Sequence, residues 1–215
     1  MNINNKLTQG FSLTELLVGT VLTSILFSGF MLFSSGIWKQ LSYEDVHEKV
    51  QQYGNYILND IAREFLKTDI QRIDLSLFES NYDIIRIYYN DDFNYTQYSS
   101  ESGSGQINDT YQRTITKNRR PIHRENDSMN QFYNEFENKG YSVSISKFKC
   151  ARLGVNNSMA KYGNRSFDSN DLKDATYIVD MQVEIYKKNG DNVALYNTID
   201  FQRTLFMKNK IIETI

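Results

Sequence analysis

Glu15 is the one ionisable side chain between Phe11 and Trp38, in a stretch otherwise built of apolar and small residues. A carboxylate at the edge of a segment long enough to cross a bilayer is costly there, so it calls for a partner and a reason. The plain alternative is that Glu15 snorkels to the headgroups and stays in water.

Elsewhere the chemistry-bearing residues do not assemble into a catalytic pattern. His47 and His123 lie far apart with no Cys partner, which speaks against zinc, and His47 reads as a solvated or capping residue. No Ser–His–acid order, phosphate-binding Gly loop or HExxH occurs, so the expectation is no enzyme and no cofactor. The acids of Asn90-Asp91-Asp92 and of Asp168–Asp174 suit Ca²⁺, but solvated loop acids are the simpler reading. Lys117, Arg119, Arg120, His123 and Arg124 surround Pro121; with a net charge of −2, an exposed loop is the simpler account and nucleic acid is not expected. Cys150 is the only cysteine, which excludes an intramolecular disulfide and fits a small core residue.

The element that carries Glu15 runs from Phe11 to Trp38. A secretory signal would be shorter and end in a small-x-small triplet, whereas this run ends Ser34-Ser35-Gly36-Ile37-Trp38. A transmembrane anchor fits the length, and a buried core helix of such uninterrupted apolarity is unusual. Lys6 ahead of the span favours a cytoplasmic N-terminus, leaving the bulk of the chain periplasmic or extracellular. Gly19, Thr20, Thr23, Ser24, Ser28, Gly29, Ser34, Ser35 and Gly36 are small enough for close helix–helix approach, and Gly29 or the Ser34–Gly36 cluster is a place for local weakening.

After Trp38 the pattern turns amphipathic. Val46, Val50, Tyr53, Ile57, Ile61 and Phe65 recur at three- and four-residue spacing, which predicts one long helix continuing to about Thr68 with its stripe on a sheet. Residues 82–89, 141–149 and 176–187 read as strands, and Lys188-Asn189-Gly190-Asp191 as a turn into returning strands over Val193–Phe206. Residues 90–109, 117–130 and 153–174 read as loops. With 15 Tyr, 13 Phe and a single Pro, the remaining domain of roughly 170 residues is sheet-rich and large enough for its own core. The expected class is α+β, a long N-terminal helix packed on an antiparallel sheet.

Lys6 in a polar leader, Gly10, Phe11 and Glu15 ahead of the apolar run together resemble the class III signal of type IV pilin-like proteins. That family comprises type IV pilins, minor pilins and the pseudopilins of type II secretion. The resemblance is strong over residues 6–38. It weakens beyond, where Gln52-x-Gly54, Asp60-x-x-Arg63 and a Phe201-x-Arg203-x-x-Phe206-x-Lys208-Asn209 ending look like the larger members, PilW-type minor pilins and the J pseudopilin. Major pilins usually carry Pro where Leu32 stands here, a departure that points away from a bulk subunit.

The resemblance implies a type IV pilin-like fold in three parts: a leader, 1–10; a transmembrane and filament-core helix, 11–38; and a globular domain, 39–215. It implies that a prepilin peptidase cuts between Gly10 and Phe11, that Phe11 is then N-methylated, and that Glu15 is the matching acidic position. Cleavage would create an ammonium at Phe11 about one helical turn from Glu15, in the same subunit or a neighbour's. Pairing between subunits would set the axial register of a filament, as buried polar groups fix register elsewhere. The partners implied are the peptidase, other minor pilins or pseudopilins, the major pilin and an inner-membrane assembly platform. The expected product is a minor pilin or pseudopilin that primes or caps a filament. Its rivals are a non-polymerising membrane-anchored adhesion or binding module and a tethered enzyme without a recognisable site.

Overall fold

Val46, Val50, Ile57 and Ile61 are fully buried, and Tyr53 and Phe65 nearly so, which places the whole predicted stripe of the amphipathic helix against protein. These residues belong to α1, Leu13–Phe65, in the computed structural model, which describes residues 12–89, 93–107, 110–122, 136–153, 165–168, 171–172, 175–189 and 192–207. The chain divides into two compact units, Met1–Asp45 and Val46–Ile215, and α1 contributes to each. It ends at Phe65, three residues short of the predicted Thr68, and its last turn carries Arg63 where a cation suits the helix dipole. Gly29 and the Ser34-Ser35-Gly36 cluster, read as weak points, are helical throughout.

In the second unit α1 is followed, among the described residues, by nine strands: β1 Ile70–Glu79, β2 Tyr82–Tyr89, β3 Tyr95–Ile107, β4 Thr110–Lys117, β5 Arg120–Pro121, β6 Tyr141–Arg152, β7 Arg165–Phe167, β8 Thr176–Asn189 and β9 Asn192–Phe206. They form one sheet in the order β5-β4-β3-β2-β6-β8-β9, with β1 joined to β2 and β7 to β1. The class is α+β. All pairings are antiparallel except a single parallel bridge from β2 to β6, Tyr82↔Phe148. The β8–β9 ladder is the longest, from Thr176↔Phe206 to Asn189↔Asn192. In β8 the alternation read from sequence holds: Tyr177, Val179, Met181, Val183 and Ile185 are buried, and the residues between them are half-exposed.

Gly54 sits within the buried stripe of α1. A Cβ built there would lie 2.4 Å from two ring carbons of Phe201 in β9. Only glycine allows the helix this close to that strand. The pair ties together two motifs that sequence alone left far apart.

Three loop readings are corrected. Residues 90–109 hold the whole of β3, a strand poor in β-branched residues that bonds across to β4, as Ser99 does with Thr116 at 3.0 Å. Residues 117–121 make a tight hairpin from β4 into β5, with Asn118 and Arg119 at φ of 51° and 63°, the sign pattern of a type I′ turn. Within 153–174, Arg165–Phe167 is β7, paired with β1. Two strands, β1 and β4, were not anticipated at all.

Candidate functional site

The described part of α1 opens on a reciprocal pair of bonds. The backbone N–H of Ser12 donates to Glu15 Oε2 at 2.9 Å, and the backbone N–H of Glu15 donates to Ser12 Oγ at 3.2 Å. This is a capping box, in which two helix-end donors with no intrahelical acceptor are satisfied by the chain itself. The signature Ser12-x-x-Glu15 stands plainly in the sequence ahead of an apolar run. Glu15 therefore has an intrachain task before any other subunit is considered. Gly10 and Phe11, the expected cleavage and methylation positions, lie outside the described residues.

Beyond the cap, the large apolar side chains of the first unit are bare. Leu13, Leu16, Leu26, Phe30, Leu32 and Phe33 are each more than 60% exposed, and no described residue buries the most apolar stretch. Its hydroxyls are turned inward on the helix: Thr20 donates to the Leu17 carbonyl, Thr23 to Gly19, Ser24 to Thr20 and Ser28 to Ser24, all at 2.7–2.8 Å. A hydroxyl satisfied this way presents little unmet polarity to hydrocarbon. The segment is a candidate membrane anchor.

The second unit holds a buried polar cluster where α1 ends. Asp60 and Glu64, one helical turn apart, both accept from Lys117 Nζ, each at 2.9 Å. Tyr98 donates to Asp60 at 2.7 Å, and Tyr89 donates to Glu64. Lys67 and Arg63 complete the shell, the first on Glu64 and the second on Asp60. Burial works to raise the Glu64 carboxyl, but hydrogen bonds from Lys67, Tyr89 and Lys117 outweigh it and hold the group at about 2. Burial likewise opposes the Lys117 charge, yet the two carboxylates raise its pKa above the usual lysine value. The Tyr98 phenol is pushed up by burial and then by Asp60. With Glu64 held as an anion and the Tyr89 and Tyr98 phenols held as neutral donors, the cluster ties the end of α1 to β2, β3 and β4. Sequence assigned Lys117 to an exposed basic loop; instead it turns in to α1, while Arg119 and Arg120 are exposed.

The remaining candidates stay apart. His47 contacts Gln51 Nε2 at 3.0 Å along the same helix, and His123 lies outside the described residues. Of the loop acids, Asp168 accepts from the Asp171 backbone and Asp171 pairs with Arg152; Asn90-Asp91-Asp92 and the rest of the second run lie outside the described residues. Among the described residues no group of three or more metal-ligating side chains occurs. Cys150 is buried in β6, its thiol pushed up chiefly by that burial. A cleft of about 50 Å³ beside it, lined by Leu75, Leu77, Asp83, Ala151 and Arg165, has room for little more than water.

Compared with protein families, curated proteins and solved structures, the chain matches no family model, no curated protein and no solved structure.

Proposed function

We propose that this chain is a minor pilin: a non-enzymatic, type IV pilin-like subunit that helps prime or cap assembly of a type IV pilus, or the J-like equivalent at the tip of a type II secretion pseudopilus. The observation that carries the reading is the continuity of α1, in which the bare apolar segment bearing Glu15 and the stripe packed on the sheet are one helix. A bare apolar helix with an acid at its start, leading into an amphipathic stretch packed on a sheet, is the arrangement that the type IV pilin-like resemblance implies. The leader before Phe11, the absence of Pro at Leu32 and the size of the sheet domain favour a sparse subunit over a bulk one.

In this reading the chain is inserted in the inner membrane with its N-terminus cytoplasmic and its domain periplasmic. Prepilin peptidase removes residues 1–10, Phe11 is methylated, and the subunit joins other minor pilins and the major pilin on the assembly platform. The deciding test is intact-mass analysis after co-expression with a prepilin peptidase. The expected mass is that of a chain beginning at Phe11 and carrying one methyl group; a chain still beginning at Met1 would overturn the proposal.

The capping box favours a second reading, a membrane-anchored adhesion or binding module that never polymerises, because it gives Glu15 a use inside its own chain. The two differ in what they ask of the charge. Glutamine at this position keeps the capping geometry and removes the charge, so Glu15→Gln separates them.

A further inference from the structure

We propose that β3, β4 and β5 form a strap that opens as a unit from the rest of the domain and is held shut by the Lys117 latch on α1. This does not rest on the filament reading. The second edge of β2 is shared between β3 and β6, so β3 is joined to it over only four pairs, Ile85↔Tyr98 to Tyr88↔Tyr95. Beyond Tyr98 the strand pairs with β4 alone.

Among the described side chains of the strap most of the buried ones are polar: Thr96, Ser99, Ser100, Gln112, Thr114 and Thr116, beside the apolar Tyr98, Ile115 and, just after β5, Ile122. By contrast β8 alone buries Tyr177, Val179, Met181, Val183 and Ile185. Cooperative units with few buried apolar contacts open at lower free energy than the global transition.

What closes the strap is polar. Lys117 bridges Asp60 and Glu64, Tyr98 donates to Asp60, and the Tyr53 and Thr114 hydroxyls meet at 2.7 Å. On the sheet side, the Arg113 backbone donates to Ser144 Oγ at 3.0 Å, and its guanidinium binds both Glu79 oxygens while lying over the Tyr82 ring. Opening therefore exchanges these polar contacts for water. It bares the acid pair on α1 and the Ile85–Tyr88 edge of β2.

Hydrogen exchange of the full chain in detergent micelles, followed amide by amide at low urea, tests this. Backbone amides of Ser99–Ser102 and Thr114–Lys117 are expected to exchange at least about a hundredfold faster than those of Val179–Ile185, with a shallower urea dependence. Lys117→Met should speed the strap amides by a further factor of about ten while β8 changes less than about twofold. Tyr98→Phe, which keeps the ring and drops one donor, gives the same contrast in milder form if Lys117→Met does not fold. Equal protection and equal urea dependence in the strap and β8 would overturn the proposal, as would a uniform acceleration in either variant.

Discussion

Gly54 and Phe201 occupy each other's space: the ring of one stands where the other would carry a Cβ, at 2.4 Å. A glycine in mid-helix costs about 1 kcal/mol against alanine. Here the close approach of α1 to β9 offsets that cost, because the helix can pack directly on a buried ring.

Gly54→Ala should therefore destabilise the domain, against the helix-propensity trend, by about 1–3 kcal/mol. Urea unfolding of the full chain in micelles checks the sign. Phe201→Leu on the same background should recover part of the loss, since it vacates the ring carbons that an alanine methyl would meet. A stabilising Gly54→Ala would show that the contact relaxes without cost.

At Glu15 the capping bonds and the charge are separable. Glu15→Ala should weaken the helix start, and Glu15→Gln by much less. If the proposed register pairing operates, both variants fail to enter filaments. Co-purification with pilus or secretion components, scored for each, reads this out; normal incorporation of Glu15→Gln would leave only the capping role.

The acid side of the stability curve should report Glu64. Its folded pKa lies below the ordinary value of 4.5, at about 2, so its contribution is complete above about pH 4.5 and is lost as pH falls toward 2. Lys117 acts with the opposite sign: its pKa is raised above 10.5, so its contribution is present at neutral pH and is lost as pH climbs through the folded value. Unfolding free energies measured from pH 7 down to 2 should fall in wild type, with a flatter profile in Glu64→Gln. An unchanged slope in that variant would remove Glu64 from the account.

Cys150 should be inert while the protein is folded. Burial holds the thiol protonated, and the thiolate is the reactive form. A thiol reagent at pH 8 is expected to label it only at the rate of unfolding, with full labelling in denaturant. Rapid stoichiometric labelling of the folded chain would contradict its placement in the core.

How much of this was readable in advance follows from which signals are local. The stripe from Val46 to Phe65 and the alternation in β8 were legible because burial on one face imposes a period, and the period survives in sequence. β3 was not legible. Its serines match a loop composition, and only pairing with β4 makes a strand of Ser99, Ser100 and Ser102. The capping box is legible, since its four residues form a complete local signature.

By itself the sequence determined the apolar helix, its lone acid, the amphipathic continuation and the best-patterned strands. Each of these depends on neighbours within a few residues. Tertiary structure alone decided that Gly54 faces Phe201 and that Lys117 leaves its basic run to join Asp60 and Glu64. Those contacts span long stretches of chain, and their energies come from burial and shared protons that no local pattern encodes.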